Sequence, residues 1–124
     1  TLARHFLNSA KRFQRLRPPS FRDSVSRSYY SMYHAARTVT YVFHRGDDHE
    51  EHNALHKALP DDLPNVDQWR NDLKAARLRR NEADYEPYPK PDGDFAAIGK
   101  SQLTNAATFL IVTETYLKAK GCRI

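Results

Sequence analysis

Seven apolar residues, Phe21, Val25, Tyr29, Met32, Ala36, Val39 and Phe43, recur at steps of 4, 4, 3, 4, 3 and 4. Only an α-helix gathers such positions onto one face, and here the seam runs for more than six turns. No segment sustains the strict alternation that a half-buried strand requires, so strands are not expected. The chain must therefore be built around one long helix and whatever covers its stripe.

The remaining segments supply that cover. Leu2, Phe6, Ala10, Phe13 and Leu16 form a stripe on a first helix, which Pro18-Pro19 stops. Ser20 reads as the N-cap of the long second helix, with Asp23 completing a weak capping box, and Gly46 as its C-cap. Residues 47–64 are acidic and His-rich, and read as a long connection holding a short helix near Glu50 to Leu59. Asn65 can cap a third long helix whose inner stripe is Val66, Trp69, Leu73 and Ala76. The segment EPYPKPDGD, Glu86 to Asp94, reads as a loop, and Asp94 as the cap of a last helix from Phe95 to about Lys120, ended by Gly121. The expectation is all-α: an antiparallel four-helix bundle, with a short extra helix between the second and third long helices, as one domain over residues 1–124.

With 124 residues and 40% apolar content, the chain can bury one real core. Its longest apolar run, Ala106 to Val112, is interrupted by Thr108 and is far short of a membrane span. No signal pattern is visible, and the lone Cys122 suits a reducing compartment, so a cytoplasmic protein without membrane association is expected. The charge is uneven: residues 1–45 sum to +8, residues 46–68 to −6 and the remainder to +3. A basic N-terminal part is the footprint of a nucleic-acid or phosphate binder, or simply a set of solvated helix faces.

Arg80 breaks the pattern. Continuing the stripe Val66, Trp69, Leu73, Ala76 lands on Arg80 and then Ala83, so a guanidinium points where an apolar group belongs. A buried arginine is costly unless it is paired or lines a cleft that holds an anion. Asp84, four residues on, can pair with it and lock the bundle end. On the second helix Tyr30, Tyr33 and Arg37 make a stripe beside the apolar seam, suited to stacking bases and holding phosphates or, equally, to packing. Arg27, Tyr30 and His34 are the strongest functional candidates there. His52 and His56, with His49, Asp48 and Glu51 nearby, have a spacing that can place two imidazoles on one helical face. No cysteine joins them, and no metal or cofactor is assigned.

Two motifs, SRSYYSMYHAAR (Ser26 to Arg37) and RLRRNEADYEP (Arg77 to Pro87), resemble those of the HEPN superfamily, in the branch whose second motif ends in Asp-Tyr. That family comprises helical bundles of prokaryotic toxin–antitoxin and defence modules. Many are metal-independent ribonucleases in which an Arg, a polar residue and a following His from two protomers meet in one cleft. The resemblance implies catalytic roles for Arg80, Asn81, Asp84 and Tyr85, and RNA or nucleotide contacts from Arg27, Tyr30, His34, Arg37 and Arg77. It also implies a homodimer and a nucleotidyltransferase partner, with Tyr85 or Tyr88 as a modification acceptor. The motif histidine is missing: its place falls on Tyr85, Glu86 or Pro87. A phenol is a poor base at neutral pH. Two readings stay open, an effector that acts on RNA and a non-catalytic module that binds a nucleotide or a partner.

Overall fold

The computed structural model describes residues 1–44, 51–52, 54–85 and 90–122. Helix α1 spans Leu2–Arg15, α2 Phe21–Phe43, the short α3 Leu55–Ala58, α4 Val66–Tyr85 and α5 Ala96–Ala119, with a 3₁₀ turn at Asp92–Phe95. There is no strand among the described residues. The four long helices alternate in direction along the chain, as pairings on facing helices require: Ala3 with Ser31 and Ala10 with Ser24, Asp84 with Ser26, and Trp69 with Phe109. This is the expected bundle, with the short helix where it was anticipated. No helix among the described residues is long and apolar enough to cross a membrane.

Helix α2 lies at the centre and packs against α1, α4 and α5. Of its seven predicted seam residues Val25, Tyr29, Met32, Ala36 and Val39 are buried and Phe21 is half-buried, while Phe43 at the end of the helix is exposed. The neighbours come close because small residues face them. Ser24 donates to the carbonyl of Ala10 at 2.9 Å and Ser31 to that of Ala3 at 2.8 Å, so two buried hydroxyls are satisfied by the backbone of α1. On the α5 side, Gln102 donates to the Val25 carbonyl at 2.8 Å. Gln14 reaches both Ser24 and the Gly99 carbonyl, each at 2.9 Å.

Several local expectations need correction. The inner face of α1 is Ala3, Leu7 and Ala10; Ala10 belongs to the predicted stripe, while Ala3 and Leu7 take the places expected of Leu2 and Phe6. Leu2 is exposed, and so is Leu16, which lies just past the end of α1. The α2 cap is not a capping box. Ser20 donates its hydroxyl to Asp23 at 2.6 Å, and the free N–H groups of Phe21 and Arg22 donate instead to the two carboxylate oxygens of Asp92, each at 2.9 Å. A charged acceptor at the positive end of a helix outcompetes a neutral hydroxyl. Asp94 caps nothing: the residues after Pro91 form the 3₁₀ turn, and α5 begins at Ala96. The side chain of Asn65 makes no hydrogen bond among the described residues; the residue takes a left-handed φ of 56° and its carbonyl receives the Trp69 N–H.

The end of α5 follows expectation, with Gly121 at φ 85° and the Cys122 N–H closing onto the Leu117 carbonyl. The helix near Glu50 to Leu59 is reduced to Leu55–Ala58. Gly46, Asp48, His49 and Tyr88 lie outside the described residues. Trp69 of the α4 stripe is buried against Phe109, whereas Phe43 of the α2 stripe, Tyr41 of α2 and Leu78 of α4 are exposed.

Because the α2 cap is supplied from so far along the chain, Asp92→Ala should lower stability by about 1–2 kcal/mol in thermal or urea unfolding. Ser20→Ala should change it by less than about 0.5 kcal/mol. A larger loss at Ser20 than at Asp92 would return the cap to the serine.

Candidate functional site

The stripe of α4 carries Arg80 inward as the periodicity demands, and the residue is only 7% exposed. Its guanidinium carbon lies over three tyrosine rings, 5.2 Å from the centroid of Tyr29, 5.5 Å from Tyr30 and 5.4 Å from Tyr85. Nη1 donates to the Tyr85 hydroxyl at 3.2 Å, while Nε is buried without a partner. No carboxylate pairs with Arg80 among the described residues. Asp84, the expected partner, instead accepts from Ser26 at 3.1 Å. One helical turn separates the two residues, but Arg80 turns into the bundle and Asp84 is exposed. The anticipated lock is thus absent, and the cation is held by aromatic faces.

The rest of the predicted set surrounds this cage unevenly. Phe6 of α1 lies 5.5 Å from Tyr30 and stacks on His34 at 5.3 Å, with Arg27 above it at 5.9 Å. Arg37 sits over Tyr33 at 5.5 Å. Arg77, one turn before Arg80, is half-buried and has no ion pair among the described residues. Arg27, Tyr30, His34, Arg37, Arg77 and Arg80 therefore line one continuous aromatic and cationic surface across α1, α2 and α4. Asn81 is half-buried and hydrogen-bonds to no member of it. Tyr85 is 67% exposed, with its hydroxyl against Arg80.

A residue outside the expected set also arrives here. His52, from the connection after α2, stacks on Tyr33 with centroids 3.9 Å apart and planes 6° apart. Its Nδ1 is 2.5 Å from the Tyr29 hydroxyl. It therefore does not share a helical face with His56, and no group of three or more metal-ligating side chains converges among the described residues. Its sequence spacing from Arg80 carries no signal, because only the fold-back of the connection joins them. Phe6 and Tyr29 were assigned to the core stripes. Their faces toward the cage follow from how the helices rotate when packed, which periodicity alone does not fix.

Electrostatics matches the geometry. Burial lowers the pKa of His52, and the charges of Arg80, Arg77 and Arg37 lower it further. His34 is lowered by burial and then by Arg37 and His52. Burial raises the Tyr29 phenol well above its ordinary value, so it stays protonated. Among the described residues the site is a cation-rich surface that carries the neutral imidazoles of His34 and His52 and the protonated Tyr29 phenol.

The family model described as HEPN domain matches residues 2–115, and the chain belongs to that family. A nucleotide- or RNA-related role is the functional content that membership carries. No curated protein and no solved structure matches the chain.

Two measurements check the cage. If Arg80 were half of a buried pair, replacing it would strand a carboxylate at a cost of about 3–5 kcal/mol. With Asp84 bound to Ser26, Arg80→Met should instead keep the thermal midpoint within a few degrees of the parent. The second concerns pH. His34, His52 and His56 have folded-state pKa values below the ordinary 6.5. Their neutral forms contribute stability that is fully present above pH 6.5 and lost as the pH falls below it. Unfolding free energy should decline through that acid window, and less steeply in His52→Gln.

Proposed function

We propose that this HEPN-family chain binds the phosphate backbone of single-stranded RNA at the recess around Arg80, as part of a prokaryotic toxin–antitoxin or defence module. The observation that carries the reading is a guanidinium 7% exposed with no carboxylate partner among the described residues. A buried cation without a counter-ion is unfavourable, and tyrosine faces offset only about 2 kcal/mol of that cost. A phosphate oxygen at the accessible edge of Arg80 completes the site, and Arg27, Arg77 and Arg37 extend the cationic path along which a backbone can run. Tyr30, Tyr85 and the Phe6–His34 stack offer flat faces for bases. In this proposal two copies meet through Leu78 and Tyr85, which are seven residues apart and exposed on one face of α4.

A second reading rests on Tyr85. Its hydroxyl is exposed to solvent yet held by Arg80, as suits an acceptor whose incoming phosphate must be charge-neutralised. In that reading the chain is the non-catalytic member of a pair and a nucleotidyltransferase modifies Tyr85.

RNA binding measured against salt separates these outcomes from a purely structural bundle. Affinity for single-stranded RNA should fall steeply as salt rises. Arg80→Met should weaken binding by about 30-fold or more, the equivalent of about 2 kcal/mol. No detectable binding at low salt, or equal binding by Arg80→Met, removes the RNA reading. Tyr85→Phe should leave RNA affinity within about threefold but abolish any nucleotide transfer by a partner enzyme.

A further inference from the structure

We propose that His52 is a phosphate-binding residue of the Arg80 recess, fixed by Tyr29 as the neutral Nε2–H tautomer so that it donates a hydrogen bond to a non-bridging phosphate oxygen. The inference rests on the RNA-binding reading and deepens it: the histidine that reaches the site is a donor and not a general base.

The argument begins at Tyr29. Its side chain is 1% exposed, so its hydroxyl proton must find an acceptor inside the protein. The only hydrogen-bond partner it has among the described residues is His52 Nδ1, at 2.5 Å. Burial keeps the phenol protonated. The O–H therefore donates to Nδ1, and Nδ1 must present a lone pair. A neutral imidazole with Nδ1 unprotonated carries its proton on Nε2.

The ring is held in every other respect too. It lies flat on Tyr33 at 3.9 Å and meets Tyr30 edge-on at 6.3 Å. Tyr29 and Tyr30 are two of the three rings that cage Arg80, so the imidazole and the guanidinium border the same surfaces. Nε2 has no protein partner among the described residues and is not among the buried unsatisfied atoms, so it faces solvent. The groups facing His52 are Tyr29, Tyr30, Tyr33, His34 and Arg37 from α2 and Arg77 and Arg80 from α4. Among the described residues, the charges that shift it are those of Arg80, Arg77 and Arg37. A fixed, neutral N–H beside a cationic cage supplies direction, which the arginine charge alone does not.

The chemistry has a consequence for catalysis. A general base for the ribose 2′-hydroxyl needs a free imidazole lone pair within reach of that hydroxyl. Here the lone pair is occupied by Tyr29. His52 accordingly does not replace the motif histidine that α4 lacks, and the recess binds without cleaving by that route.

The test uses the whole chain and a short single-stranded oligouridine without terminal phosphates, whose diesters do not titrate near neutrality. A free uridine mononucleotide serves as a second arm. Nitrogen-15 NMR of the free protein at pH 7 should show His52 as the Nε2–H tautomer, and Tyr29→Phe should turn it into a tautomer mixture. His52→Ala should weaken oligouridine binding about tenfold, as expected for one hydrogen bond to a charged group. His52→Gln, whose amide presents an N–H at a similar place, should retain most of the affinity. Dependence on His52 in the oligouridine arm assigns the phosphate to a strand, and in the mononucleotide arm alone to a free nucleotide; either supports the proposal. An Nδ1–H tautomer or an imidazolium in the free protein overturns it. So does oligouridine binding that needs Arg80 but is untouched by His52→Ala. Absence of binding in both arms, or binding indifferent to Arg80→Met, defeats the RNA-binding reading itself, and the ligand role of His52 falls with it.

Discussion

A helix enclosed on three sides has little solvent face on which to place polar residues, and α2 meets that constraint with hydroxyls. Ser24, Ser28 and Ser31 are fully buried and each donates to a backbone carbonyl, two of them across to α1. Side chains this small let the neighbouring backbone approach, and their polarity is cancelled at the point of contact. The bundle depends on this arrangement. With larger residues at those positions, α1 would stand off, Ala3 and Ala10 would lose their packing, and Phe6 would no longer reach Tyr30 and His34.

The same enclosure explains the recess. Tyr29 belongs to the apolar seam by period and to the site by its hydroxyl, because a tyrosine long enough to cross the core emerges on the α4 side, where Arg80 meets it. Burial then acts in two ways on one cluster. It holds the phenol and the imidazoles neutral, and it leaves the arginines as the dominant charges.

The long helices, their order and the inward Arg80 were legible in the sequence because period and punctuation are local properties. Residues such as Leu73 and Ala76 declare their face through neighbours three and four positions away. What escaped was everything decided between helices. On α1, Ala10 faces inward as its period predicts, but Ala3 and Leu7 replace Leu2 and Phe6 there. The contacts with the α2 serines, and not the hydrophobicity of Leu2, set the rotation of the helix. Asp92 was read as part of a turn, and its partners Phe21 and Arg22 are distant in the chain. Arg80 and Asp84 had the spacing of a pair, yet a competing hydroxyl on α2 took the carboxylate. His52 gave no hint, since a long connection can lay its residues almost anywhere. In each case the deciding contact joined segments that no short window contains.

The clamp between Asp92 and the start of α2 bridges 71 positions of sequence, and that separation has a temporal meaning. A chain made from its N-terminus at roughly 5–20 residues per second delivers α2 several seconds before the carboxylate that completes its first turn. During that interval α1 and α2 can pair through their serine contacts, but the end of α2 stays frayed and Phe21 lacks its later neighbours Phe95 and Ile98. The turn that precedes the last helix therefore finishes the start of α2. Only once the Asp92 turn has been made can the first turn of α2 receive the acceptor its N–H groups use in the finished fold.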